Sequence, residues 1–415
     1  MDAVTTEAPL RGLRVLDLST VVAGPYGTEM FGELGADVIR IEPVGAESSP
    51  APDVDAPISE PEGFLWALQR NKRAICLDLK HPEGRQLFLD LVKVSDVVWD
   101  NFRPGVTGRL GIDYPQLARI NPKIISCSIS GFGAEGPWSR VGAYDITVQA
   151  LSGVMSITGS GEPDSEPSRW GVPIGDIAGA IYGVIGVLAA LEERERTGVG
   201  QNVDIALLDV QLALNCYRVP QVFGSNMEFA PASPRKGGAG TVPYGPFRCG
   251  DGQWLAIAPS SNFWTAFCTT IGHAELASDS RFRTLADRQQ NQAALDALLE
   301  AIMLKKPAAD WEALLIAAQI PMGRVLDIPG AFAHPQAAAR GMRIDLENDA
   351  GRRVPVAGSP LHFEGEAARA QQAPSLAGED SGAVLMQWLG LASEQVQALA
   401  AKGIVGVRNA GVRNS

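Results

Sequence analysis

The chain is poor in the residues that build metal and thiol chemistry. It has five cysteines and four histidines in 415 residues. Cys76, Cys127, Cys216, Cys249 and Cys268 are scattered, with no C-x-x-C and no neighbouring histidine. That spacing argues against a zinc site or a disulfide framework. Cys76 and Cys127 sit in strand-like runs and read as reduced, buried thiols. No G-x-S-x-G occurs, and His81, His273, His334 and His362 lie near no serine nucleophile motif. A triad hydrolase is therefore disfavoured. No Walker A motif occurs either. Positive charge is in deficit: the net charge is −12, which excludes a general nucleic-acid surface but not an anionic ligand held by local basic residues. No apolar run reaches 18 residues, and residues 177–191, the longest apolar stretch, read as a buried helix rather than a membrane span. The first twelve residues, MDAVTTEAPLRG, lack a positive region followed by an apolar one. The expectation is a cytoplasmic protein with no membrane partner.

What the chain does have is core. Hydrophobic residues make up 46% and charged residues 20%, an ordinary globular composition. The length exceeds that of most single cores, so two domains are expected. The first half alternates strand and helix patterns. Residues 13–19, 37–42, 73–79, 96–101 and 123–130 read as strands, and residues 26–35, 82–95 and 113–121 as helices. His81 precedes Pro82 as a helix cap would. This alternation predicts an open parallel sheet with helices on both faces. Residues 43–61, rich in Pro, Ala, Ser and acids, read as a mobile surface loop, and residues 131–140 and 159–169 as further loops. Texture changes near residue 223, where clustered Gly and Pro precede a strand in WLAIAP. Helical patterns follow at residues 263–271, 291–303 and 308–319, which suggests a smaller α+β domain. The last forty residues suggest two more helices.

Three features can carry chemistry. The first glycine loop, STVVAGPYGTEMFG, follows a strand and opens a helix, where a doubly wound sheet binds phosphates. It lacks the G-x-G-x-x-G of nicotinamide enzymes and is also readable as a plain tight turn. Basic residues gather near strand ends: Arg40, Arg70, Lys72, Arg73, Lys80, Arg103 and Arg109. Each could be a solvated surface charge, and together they suit a phosphate-bearing ligand. The third feature is Asp176, a lone carboxylate in RWGVPIGDIAGAIYGVIGVLAA. From composition it reads first as a helix N-cap, a reading compatible with a carboxylate nucleophile kept ionised at a helix start, with Gly175 leaving room for approach.

The order of several segments resembles the class III CoA transferases, the formyl-CoA and carnitine CoA transferase type of the CaiB/BaiF superfamily. They are LRGLRVLDLSTVVAGPYGTEMFGELGADVIRIEPVG, NKRAICLDLKHPEGRQLF, DVVWDNFRPGVTGRLGIDYPQLARINPKIISCSISGFGAEGP, AYDITVQALSGVMSITG, GDIAGAIYGVIGVLAALEERERTGVGQNVDIALLD, PYGPFRCGDGQWLAIA and HPQAAARGM. The resemblance implies a Rossmann-like large domain built from both chain ends, residues 1–207 and 345–415. It adds a small α+β domain at 233–324, with linkers at 208–232 and 325–344. It also implies an interlocked ring homodimer.

The resemblance makes Asp176 the nucleophile that attacks an acyl-CoA and passes through anhydride and thioester intermediates. Substrates would be an acyl-CoA and a carboxylic acid, with coenzyme A as part of the substrate and no permanent cofactor or metal. By the same resemblance, CoA contacts fall on Val22, Ala23, Leu77, Lys80, Asn101, Phe102, Arg103, Arg109, Gly142, Ala143, Tyr144 and Asp145. Pro43 and Gly142 stand where some members carry a basic residue, so Arg40, Lys72 or Arg73 are expected to compensate. A glycine loop at Gly237, Gly238 and Gly240 would close over the site and exclude water. Arg169, Arg235 and Lys236 could clamp a second carboxylate, which suggests a dicarboxylate such as succinate. Two alternatives remain open: an α-methylacyl-CoA racemase of the same superfamily, and a CoA-binding protein without chemistry. The racemase has GHDINY where this chain has AYDITV, so Tyr144 replaces its histidine base.

Overall fold

Short aliphatic runs that can bury both faces become the strands of one mostly parallel sheet. The computed structural model describes residues 8–160, 164–225, 241–363 and 371–408. In chain order its first half contains β1 (Arg14–Asp17), α1 (Ala23–Glu33), β2 (Asp37–Glu42), α2 (Glu60–Leu68), β3 (Lys72–Leu77) and α3 (Pro82–Lys93). Next come β4 (Val97–Asp100), α4 (Val106–Leu110), α5 (Tyr114–Ile120), β5 (Ile125–Ser130), α6 (Asp145–Leu151) and the single turn α7 (Val154–Ile157). Then α8 (Ile174–Thr197), β6 (Asn202–Ala206) and α9 (Leu207–Leu214) follow. The later strands are β7 (Gly245–Arg248), β8 (Trp254–Ile257), β9 (Met322–Arg324), β10 (Arg343–Glu347), β11 (Arg353–Ala357) and β12 (Val405–Gly406).

The chain divides into two units. One comprises Met1–Ser152, Trp170–Cys216 and Ala338–Ser415, and the other Gly153–Arg169 and Tyr217–Ala337. The sequence reading placed the large domain at 1–207 and 345–415; the division into compact units falls at 216 and 338 and sets Gly153–Arg169 with the second unit. The difference at 207 is α9, which continues straight from β6 and packs on α6 and α8. The stretch NVDIALLDVQLAL, readable as helix or strand, is thus a strand followed by a helix.

In the first unit the sheet order is β12-β3-β2-β1-β4-β5-β6. Pairings are parallel except that β12 runs antiparallel to β3. The order reverses at β1, which has β2 on one side and β4 on the other. Such a switch point opens a crevice at the carboxyl ends of the strands. Strand alternation splits the core into two layers. Leu16, Ile39, Ile75 and Val98 face Phe88, Leu91, Val92, Val384, Leu385 and Trp388. Val15, Val38, Val97, Trp99 and Ile125 face Phe31, Val184 and Val187. The C-terminal helices Ser381–Leu389 and Ser393–Ala401 and strand β12 therefore complete a core begun by the N-terminus. His81 caps α3 as expected, its Nδ1 accepting from the Glu83 N–H at 3.2 Å.

The loop expected to be mobile is tied down. Arg352 donates to the carbonyls of Val54 and Ala56, both at 2.7 Å, and forks onto Glu62 at 2.8 and 2.9 Å. The sequence held no hint that an arginine three hundred residues away would reach it.

The second unit has the antiparallel order β7-β8-β9. Its core includes Phe247, Leu255, Trp264, Phe267, Leu295, Leu299, Trp311 and Leu315. Buried Arg288 donates to the Val242 and Phe282 carbonyls and to Ser261 Oγ, and stacks over Trp264.

α8 is the one described helix long and apolar enough to cross a membrane by length and composition. The sequence reading expected a buried helix, and one side of it is covered. Ala178, Ala180, Val184, Val187 and Ala190 are buried, while Ile181, Tyr182, Ile185 and Leu188 are exposed.

One charge pair sits at the heart of the first unit. Lys72 Nζ donates to Asp17 Oδ2 at 3.0 Å, to the Pro25 carbonyl at 2.9 Å and to Gln69 Oε1 at 2.9 Å. Removing one partner of a buried pair strands the other charge. Lys72→Met is expected to lower unfolding stability by about 3–5 kcal/mol in urea titration. The double variant Asp17→Asn/Lys72→Met should recover part of that loss. Equal stability of Lys72→Met and the parent protein would refute the pair's structural role.

Candidate active site

Two loops meet at the switch point. The loop after β1 carries Thr20, whose N–H donates to Asn101 Oδ1 at 2.9 Å, and Asn101 Nδ2 returns a bond to the Thr20 carbonyl at 2.7 Å. Asn101 belongs to the loop after β4. This reciprocal pair stitches the crevice's two rims together.

A cavity of about 1070 Å³ opens beside it. Leu18, Val21, Ile41, Pro43, Leu77, Lys80, Phe102 and Arg109 are among its lining residues, with Arg40 and Gln69. Arg40 is buried, donates to the Ser375 carbonyl at 2.9 Å and lies 3.4 Å from Glu42. Lys80 and Arg109 are exposed. The size and the cations suit a nucleotide with phosphates.

A second pocket of about 250 Å³ adjoins it and holds Asp176. Val22, Ala23, Asn101, Phe102, Arg103, Ala143, Tyr144 and Asp145 line it as well. Gly142 does not line the pocket but sits against Arg103, where a Cβ would come within 2.6 Å of Nη2. Apart from Gly142, the resemblance-based contacts line two adjoining cavities, whereas Lys72 and Arg73 do not. Lys72 is sealed beneath the crevice on Asp17. Arg73 pairs with Asp37 at 2.6 Å and faces Trp388. Both are at the start of β3, whereas the cleft takes its residues from the far end of that strand and beyond, Leu77 to Lys80. Of the expected compensating cations, Arg40 alone lines the cleft. Gly237, Gly238 and Gly240, with Arg235 and Lys236, lie outside the described residues.

Asp176 is not an N-cap. The helix begins at Ile174 with Pro173 as its cap residue, and no side chain of that cap residue bonds. The capping group comes from another helix: the Gly175 N–H donates to Asp145 Oδ1 at 2.7 Å. Asp145 is held in turn by Gln149 Nε2 at 2.6 Å and Gln211 Nε2 at 3.4 Å. Ser152 Oγ donates to Gln211 Oε1 at 3.1 Å, and the Trp170 N–H to Gln149 Oε1 at 3.0 Å. Gly175 is required here, since a Cβ would collide with Gln211 Nε2 and Asp145 Oδ1. The only sequence signal for Gln149 and Gln211 was a single amide in each of two mostly apolar helical runs, DITVQAL and LLDVQLAL.

Burial, and then the charge of Asp145, raise the Asp176 carboxyl from its usual range to about 6. At neutral pH it is still mostly ionised, and it is more basic than an exposed aspartate. That combination suits a carboxylate nucleophile.

The profile of CoA-transferase family III matches residues 10–381. The chain is 36% identical to acetyl-CoA:oxalate CoA-transferase from Acetobacter aceti, over 86% of this chain and 90% of that protein. It is 34% identical to succinate–glutarate CoA-transferase from Agrobacterium fabrum, over 93% of this chain and 97% of that one. A crystal structure of a CaiB/BaiF family protein from Brucella suis superposes with a TM-score of 0.78 at 34% identity, covering 92% of this chain and 100% of that one.

Removing the neighbouring charge has a defined sign. Asp145→Asn deletes a charge that raises Asp176, so the Asp176 carboxyl should titrate below about 6. Carboxylate-resolved infrared or NMR titration reads this directly. An unchanged or raised midpoint would refute the coupling.

Proposed function

The chain belongs to CoA-transferase family III and is a CoA-transferase, and we propose that it runs the exchange through covalent intermediates on Asp176. The observation that supports this reading is Asp176 itself: a half-buried carboxylate with a raised pKa at the foot of a pocket that adjoins a nucleotide-sized, cation-lined cleft.

In this reading the adenosine phosphates of an acyl-CoA lie against Arg40, Lys80 and Arg109, and the thioester reaches Asp176. A carboxylate oxygen of Asp176 attacks the thioester carbonyl carbon. The C–S bond breaks, CoA leaves as thiolate, and a mixed anhydride remains. The thiolate then attacks the aspartyl carbonyl of that anhydride. This releases the donor acid as a carboxylate and leaves an aspartyl-CoA thioester. The acceptor carboxylate attacks this thioester, forming a second anhydride and freeing the thiolate again. Thiolate attack on the acceptor's acyl carbon yields the new acyl-CoA and restores the Asp176 carboxylate. Each step passes a tetrahedral oxyanion, which needs hydrogen-bond donors placed in advance. The acceptor we favour is a short dicarboxylate such as succinate, since relatives across nearly the whole chain are named for oxalate, succinate and glutarate.

The assembly we propose is an interlocked homodimer. The exposed apolar stripe of α8, Ile181, Tyr182, Ile185 and Leu188, supports it, because a stripe of that kind is usually covered by a partner. The five cysteines are free thiols, which suits a reducing compartment and supports a cytoplasmic enzyme.

Incubation with an acyl-CoA and hydroxylamine should leave a hydroxamate adduct on Asp176, read by mass spectrometry. Asp176→Asn should lower turnover by at least about 10³-fold while CoA still binds. Retained turnover would overturn the nucleophile assignment. Ile185→Asp should shift the protein from dimer to monomer in light scattering coupled to gel filtration. An unshifted dimer would remove this face from the interface.

A further inference from the structure

Val21 is the corner on which three cavities meet. It lines the large cleft, the Asp176 pocket and a third, side pocket of about 320 Å³ formed with Arg40, Pro61, Phe64, Leu65 and Gln69. No other residue lines all three. Its backbone is left-handed, with φ +68°. For a β-branched residue that is a strained conformation, because the Cβ substituents crowd the backbone. Among the described non-glycine residues Asn71, Asp164, Cys216 and Gln319 share a positive φ, and none of these is β-branched.

Packing does not explain why a valine stands there. The side chain is 65% exposed, so it contributes little to the core. The backbone on its N-terminal side is fixed from outside. Asn101 holds both the N–H and the carbonyl of Thr20, and the Val22 carbonyl accepts the Tyr26 N–H at 2.9 Å as α1 begins. Val21 is thus trapped between two anchored peptides. A glycine would relieve the strain at no packing loss. Strain kept without a packing return points to function.

We propose that Val21 is a substrate-positioning residue whose isopropyl group, held out by the strained backbone, turns the pantetheine arm of an acyl-CoA from the nucleotide cleft into the Asp176 pocket. The inference rests on the CoA-transfer reading of this site. An arm leaving the cleft toward Asp176 passes Thr20, Val21 and Phe102, the residues shared by the two cavities. Thr20 is occupied through its backbone by Asn101, which leaves Val21 and Phe102 as the apolar walls. A thioester aimed loosely at a carboxylate reacts slowly even when its nucleotide is well bound.

The test compares Val21→Gly and Val21→Ala with the parent enzyme. Three quantities are read: thermal midpoint, kcat/KM for succinyl-CoA, and affinity for 3′,5′-ADP by calorimetry. Val21→Gly should raise the midpoint by about 1–3 °C, lower kcat/KM by at least about 10-fold and leave 3′,5′-ADP affinity unchanged. Val21→Ala, which removes both methyls but keeps most of the backbone cost, should lose kcat/KM similarly without that gain in midpoint. A Val21→Gly midpoint at or below the parent's would overturn the strain argument. Full activity in Val21→Ala, or a parallel loss of 3′,5′-ADP affinity in Val21→Gly, would overturn the positioning role. A parent protein that binds no 3′,5′-ADP and transfers no CoA would instead overturn the reading of the whole site, and this inference with it.

Discussion

The crevice depends on the buried pair of Asp17 and Lys72. Both side chains are sealed from solvent, at 0% and 1% exposure. Such a pair is tolerable only if every donor and acceptor is occupied. Lys72 has three protons and finds three acceptors, one each from β1, the first turn of α1 and the end of α2. Asp17 accepts from the Ser19 N–H and hydroxyl and from Thr28 Oγ1 as well. Burial pulls the ammonium's pKa down, and Asp17 opposes that pull. The result is a polar rivet beneath residues 18–25, the segment that rims every cavity of the site. Because β1 ends and α1 begins on the same rivet, the intervening loop has few conformations left. The left-handed Val21 is one consequence of that confinement.

A second constraint acts across the pocket. Asp145 and Asp176 begin or nearly begin their helices, α6 and α8, and would repel one another if brought together without compensation. The compensation is geometric. Asp145 spends its oxygens on the Gly175 N–H, Gln149 and Gln211, so its charge is anchored by donors while that of Asp176 is not. Different surroundings follow for two chemically identical groups: Asp145 is a cap, and Asp176 stands in the pocket with its pKa raised to about 6. The Gly175 backbone is the hinge of this division, because a side chain there would displace both Asp145 and Gln211.

The sheet was largely legible in the sequence. Strand runs buried on both faces and amphipathic helices such as α3 announce themselves by period. Asp176 was legible as a chemical candidate but not in its local role. The sequence places Pro173 and Asp176 near a helix start, and Asp is a favoured cap. Deciding against the cap required knowing that Asp145 supplies the bond from thirty residues away. The basic cluster failed for a related reason. Lys72 and Lys80 look equivalent in a list, yet they flank β3 at opposite ends. A six-residue strand is about 20 Å long, which separates a structural rivet from a cleft residue. Arg352 and its clamp on residues 54–62 were illegible for want of any local signal. Sequence reasoning thus found most of the elements and singled out a candidate carboxylate, and missed the long-range polar bonds that assign each charge its surroundings.

α8 shows how closely these tasks are coupled. Its first turn presents Asp176, its inner stripe of small residues lets the helix lie close on the sheet beside Trp99 and Val203, and its outer stripe is apolar and exposed. Gly183 and Gly186 have no room for a Cβ on the inner side, so the helix cannot rotate to hide the outer stripe. Hiding it would also swing Asp176 away from the Gly175–Asp145 bond and out of the pocket. The placement of Asp176 and the exposed apolar face are therefore fixed by the same close packing. Under the proposals made above, a second copy of the chain seated on that face would hold the helix that presents Asp176, and assembly and chemistry would both follow from one helix's orientation.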